Sequence, residues 1–163
     1  MLTEVASLRE IFSLNTRLLL NCLHGVSEDD AVRRPLPGVN SLAFVTAHVV
    51  DARHFVLTLL DRPAPNPLTA TLGRVTRIEE VTELPALGAL REFWVAVSAA
   101  LDEGLDAVGV EHLRSRSPQR FPVSDATRLG GLAFLAQHES YHVGQLALLR
   151  KCLGYPAMAY AAR

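Results

Sequence analysis

At 163 residues with 49% apolar side chains, the chain has the size and composition of one domain, residues 1–163, with a well-buried core. Sixteen Lys and Arg against seventeen Asp and Glu leave a formal charge of −1 with no long block of either sign, which argues against nucleic acid or an anionic membrane as partner. Aromatic residues make up 6% of the chain, too few for a platform on which single-stranded bases stack.

The start, Met1 to Glu10, carries acidic residues and no basic-then-apolar leader pattern, and no uncharged stretch reaches the ~20 residues of a membrane span. A cytoplasmic protein is expected, with Cys22 and Cys152 as buried, reduced thiols outside any CxxC pattern. From Thr3 to about His24, Val5, Leu8, Ile11, Phe12, Leu18 and Leu19 recur at three- and four-residue steps, which predicts a first helix. Ser27 with Asp30 three residues on predicts a short capped turn ending before Pro35 and Pro37. A second long helix starts at Asn40 or Ser41 and runs to about Asp61, ahead of Pro63. An irregular connection follows through Pro63, Pro65 and Pro67, with a short extended or helical piece near Arg74–Val81. Pro85 opens a third helix to about Val108, and a loop from His112 to Val123 holds Pro118 and Pro122. Ser124 or Asp125 caps a fourth helix, which stops at Gly154 and Pro156 after Leu153. No segment alternates with period two, so the fold class is all-α, a four-helix bundle with long loops between the second and third and the third and fourth long helices.

The fourth helix contains His138-Glu-Ser-Tyr-His142, and residues four apart share a helix face, so two imidazoles there can grip one ion. Gly131, Phe134, Leu135, Gln145 and Leu149 fall on the same, mainly apolar face, which points the pair into the bundle. On the second long helix, His48 interrupts an apolar stripe of Phe44, Val45, Ala52, Phe55 and Leu59. A histidine pair, or one histidine on an apolar face, has an ordinary explanation as core residues bonded to carbonyls. Three imidazoles in one core are harder to satisfy, since each unpaired polar group costs ~1–3 kcal/mol, and one shared cation takes all three lone pairs. The predicted metal ligands are therefore His48, His138 and His142, holding a divalent ion. Imidazole ligands alone suit zinc, nickel, copper or iron.

Gln145 is a candidate contact to a ligand or substrate. Glu139, ~100° around the helix from His138, is expected at the site margin or, by preference, at the surface. His54 is expected at the surface, and His24 and His112 solvated. Gly144 suggests close packing against a helix or a second subunit, and Arg150 a cation at a helix C-terminus. His-Glu-x-x-His is also the zinc-protease sequence, but the metzincin positions after His142 hold Gln145 and Leu148, and no acidic ligand follows Glu139. No group is assigned as catalytic.

The stretch from His138 through His142-Val-Gly-Gln145 to Arg150, followed by Lys-Cys-Leu-Gly154-Tyr-Pro156, closely resembles the last long helix of the DinB/YfiT-like superfamily. Ala43-Phe-Val-Thr-Ala-His48, with Asp51 and Phe55, resembles that family's second helix. The layout agrees over most of the chain, and the residues agree in these two helices. The resemblance implies His48, His138 and His142 as ligands, zinc or nickel as the ion, and pairing into homodimers. It also implies a small-molecule substrate with bacillithiol, mycothiol or a related small thiol as cosubstrate, because the family's characterised enzymes are thiol-dependent transferases and isomerases. Two other expectations stand beside a metal-dependent thiol transferase: a non-catalytic metal-binding or stress-associated protein, and a plain helical module with core histidines. Water acidified on the same ion makes hydrolysis the neighbouring chemistry.

Overall fold

The computed structural model describes residues 3–73, 78–81 and 83–161, and within them regular structure is helical apart from one isolated bridge between Arg116 and Thr127. Four long helices, α1 (Thr3–Leu23), α3 (Leu42–Leu59), α5 (Leu87–Ala107) and α7 (Arg128–Cys152), alternate with short ones. These are α2 (Glu28–Val32), α4 (Thr69–Leu72) and α6 (Val110–Arg114), with a 3-10 turn at Ile78–Glu80. Part of the short piece expected near Arg74–Val81, residues 74–77, lies outside the described residues. The long helices pack in a ring: α1 against α5 and α7, and α3 against the same two.

Local caps start three elements. Ser27 and Ser41 accept the backbone N–H of Asp30 and Phe44, each at 3.2 Å, opening α2 and α3. The cap of α7 is Thr127, not Ser124 or Asp125. Asp125 instead accepts the Thr127 N–H at 2.9 Å, and the Arg116–Thr127 bridge keeps the chain extended until that residue. The expected loop from His112 is also interrupted, because α6 carries His112.

Other helix ends are satisfied from a distance. Glu28 of α2 accepts the N–H groups of Leu87 and Gly88 at 2.6 and 3.1 Å, placing a carboxylate on the N-terminus of α5. Arg150, buried, donates to the Cys22 and His24 carbonyls at the end of α1 (3.1 and 2.5 Å), so it serves another helix's terminus more than its own. His112 Nε2 and Arg128 Nη1 lie 3.0 and 2.7 Å from the Leu59 carbonyl at the end of α3, so His112 is not the solvated side chain expected.

α3 is long and apolar enough, by composition, to cross a membrane, yet 67% of it is buried inside the bundle. Contact with α2, α4, α5 and α7 leaves it little polar face, which accounts for that hydropathy. It also buries His54, expected at the surface; burial lowers that imidazole's pKa, opposed by Asp51 and by a hydrogen bond to the Ala64 backbone. Cys22 is buried, and burial raises its thiol to about 11, whereas Cys152 is exposed, against expectation.

Candidate metal centre

His48 comes from α3, and His138 and His142 from the adjacent α7. All three are half-buried, and each can offer one ligand nitrogen within 4.8 Å of the others. His138 Nε2 lies 3.3 Å from His48 Nε2 and 3.1 Å from His142 Nε2. Nitrogens that share one ion at ~2.0–2.1 Å and tetrahedral to octahedral angles stand about 2.8–3.4 Å apart. The rings meet edge to face, with interplanar angles of 68 to 74° and centroids 4.4 to 5.2 Å apart. A single proton can bridge only one such pair, whereas a cation satisfies three lone pairs together.

The electrostatics agree with ligand duty. Burial, reinforced by His142, lowers the pKa of His48 to about 4. Burial with both neighbours lowers His138 to about 4. Burial lowers His142 also, opposed by its bond to Gln145. The imidazoles are therefore neutral at pH 7, the form that ligates. Gln145 Oε1 lies 2.7 Å from His142 Nδ1 and can only accept, so Nδ1 carries the proton and Nε2 keeps its lone pair. The Gln145 amide in turn donates to the Tyr141 hydroxyl at 3.0 Å. Tyr141 went unremarked in the sequence, although it precedes Gln145 by four residues on the same helix. Nδ1 of His138 is buried without a hydrogen-bond partner.

Glu139 is neither at the surface nor turned to the histidines. It is 3% exposed and forms a bidentate pair with Arg53, which is 1% exposed. Arg53 lies five residues beyond His48, and Glu139 directly follows His138, so the pair ties the two ligand-bearing helices together. The remaining guanidinium hydrogens go to Thr16 Oγ1 (2.7 Å), Ser98 Oγ (2.5 Å) and the Phe12 carbonyl (3.2 Å), and the group stacks 3.5 Å over the Trp94 ring. All five N–H donors are used, on acceptors from α1, α5 and α7. Burial pushes the Glu139 carboxyl pKa up, and the charge and hydrogen bonds of Arg53 oppose the rise. The clue in the sequence was Arg53, the one Lys or Arg within the mainly apolar α3.

A cleft of about 510 Å³ between α1 and α5 has Phe12, Thr16, Arg53 and Ser98 in its walls, and none of the three histidines lines it. The bonding chemistry sits elsewhere, on the α3–α7 face.

Residues 11–146 match the profile of the DinB superfamily. No curated protein matches the chain. Among solved structures it is similar to the crystal structure of a conserved protein from Enterococcus faecalis, at a TM-score of 0.74 and 15% identity, over 94% of this chain and 98% of that one. At that identity the likeness speaks for the fold.

Proposed function

The chain belongs to the DinB superfamily, and on that premise we propose that His48, His138 and His142 hold one divalent metal ion, zinc or nickel, at which a small thiol is activated for transfer to an electrophilic substrate. The observation that carries the reading is the meeting of three neutral imidazole nitrogens at ligand spacing, with the His142 tautomer fixed by Gln145. His48, His138 and His142 would hold the cation as neutral ligands, leaving it its full charge, and the chemistry it would supply there is acidification of a bound thiol at neutral pH.

The surrounding side chains argue against base-assisted activation of water of the protease type. A water-activating site of the protease type uses the glutamate after the first histidine as general base. Here Glu139 is buried and both its oxygens are bonded to Arg53 inside the core. A thiol needs no such base, because a cation held there would itself lower the thiol pKa; a bound water would be acidified in the same way. The lack of an acid–base group among the histidines' bonded partners also keeps alive a non-catalytic metal-binding role.

Elemental analysis of protein purified without a histidine tag decides the first step: about one equivalent of metal is expected, lost in His48→Ala, His138→Ala and His142→Ala. The loaded protein is then expected to consume a thiol and an electrophile faster than His142→Ala does. Metal binding with equal rates across a panel of thiols supports the non-catalytic role; absence of metal leaves the histidines as core residues.

A further inference from the structure

The chain has six phenylalanines, and three of them form a row that ends at the histidines. Phe55 of α3 lies 6.2 Å from Phe121, Phe121 lies 5.4 Å from Phe134 of α7, and Phe134 lies 6.1 Å from His138, all between ring centroids. All three phenyl rings are half-buried, packed on the core by one side and open on another.

Phe121 reaches this row from the connection between α6 and α7, where almost every other residue from Ser115 to Ala126 is exposed. The segment has no core of its own, yet its placement is closely specified. Ser117 N–H donates to the Ala126 carbonyl at 2.9 Å and Arg128 N–H to the Ser115 carbonyl at 3.0 Å, which closes the loop at its base. Two glycines at the start of α7 receive it. A Cβ on Gly131 would stand 2.6 Å from the Phe121 ring and 3.1 Å from Leu59, and a Cβ on Gly130 would collide with the Asp125 backbone. Consecutive glycines weaken a first helical turn relative to alanine. That cost is offset only by what the loop delivers, and the side chain it delivers to the interior is Phe121.

We infer that Phe55, Phe121 and Phe134 form an apolar aromatic shelf that runs up to His138 at the metal centre, and that the shelf selects a substrate carrying a flat aromatic group next to its metal-directed end. The inference rests on the metal-site reading above. Ring-on-ring contact supplies up to ~1.5 kcal/mol beyond burial, so the shelf discriminates between an aromatic and a small aliphatic group by up to about tenfold.

The test uses the metal-loaded protein and two chelating probes, benzohydroxamate and acetohydroxamate, which differ in the group beside the same metal-binding end. Calorimetric titration is expected to show benzohydroxamate bound up to about tenfold more tightly. In Phe121→Leu, which keeps apolar bulk, and in Gly131→Ala, which keeps the ring but displaces it, the preference is expected to fall to roughly twofold while acetohydroxamate affinity holds. Equal affinities in the native protein, or a preference that survives in both variants, overturn the shelf and leave the metal site standing. Failure to take up metal overturns both, and failure of the loaded protein to bind either probe overturns the shelf and leaves the non-catalytic metal-binding role.

Discussion

At the scale of single residues, the site depends on which ring nitrogen holds a proton. Gln145 removes that freedom at His142 by accepting from Nδ1. Gln145→Ala is expected to weaken metal binding by about 10–100-fold, the usual effect of losing a partner that orients a ligand, while leaving the fold intact. Competition titration against a chelator reads this, and an unchanged affinity would return Gln145 to plain surface satisfaction. The same rings set a pH dependence in the metal-free protein. His48 and His138 titrate near 4 when folded, against about 6.5 in an unfolded chain, so the unfolded state takes up protons first as pH falls. Their contribution to stability is complete above about pH 6.5 and is lost as pH falls from there through 4. His142 and His54 are shifted in the same direction and add to the loss. The melting temperature of metal-free protein should therefore drop between pH 7 and pH 5, with a flatter profile in a His48→Ala, His138→Ala double variant. Parallel profiles in the two proteins would refute neutral burial of these rings.

Between elements, the Arg53–Glu139 pair is the joint through which α3 and α7 keep their ligands opposite one another. Removing one partner of a buried, hydrogen-bonded pair leaves a stranded charge and costs about 3–5 kcal/mol. Glu139→Ala should lose that much in denaturant unfolding, and Glu139→Gln, which keeps an acceptor for the guanidinium, should lose less. A loss below ~1 kcal/mol in Glu139→Ala would show that the guanidinium finds other compensation. This pair also marks where sequence reading stops. The capped starts at Ser27 and Ser41 were legible because each cap bonds a residue three positions on. The histidine faces were legible because helical periodicity fixes which residues share a side. Glu139, Arg150 and His112 take their character from partners 86, 128 and 53 residues away, which no local pattern encodes. Phe121 belongs with them: a proline-flanked loop residue becomes part of the site's surroundings only because Gly131 leaves space for it.

For the whole molecule, the outer face of α7 raises the question of assembly. Its exposed residues from Ala133 through Gln137, Ser140, Tyr141, Gly144 and Leu148 carry no charge, with Tyr141 57% and Leu148 62% exposed. Close packing within the chain does not explain Gly144, because nothing lies within 4 Å of where its Cβ would be. A glycine there weakens the helix by ~1 kcal/mol with no return inside one chain, whereas a second copy could use the flat surface. Pairing through α7, with the two-fold axis near Gly144, would bury Tyr141 and so shield the hydroxyl that receives the Gln145 amide. On this proposal the native protein sediments as a dimer, and Leu148→Arg, which sets like charges against each other across the axis, sediments as a monomer with its helical spectrum unchanged. The monomer should also hold metal less tightly, since its Tyr141–Gln145–His142 chain is left open to water. A native monomer, or a Leu148→Arg dimer, would assign the uncharged face of α7 some other duty and detach the metal centre from assembly.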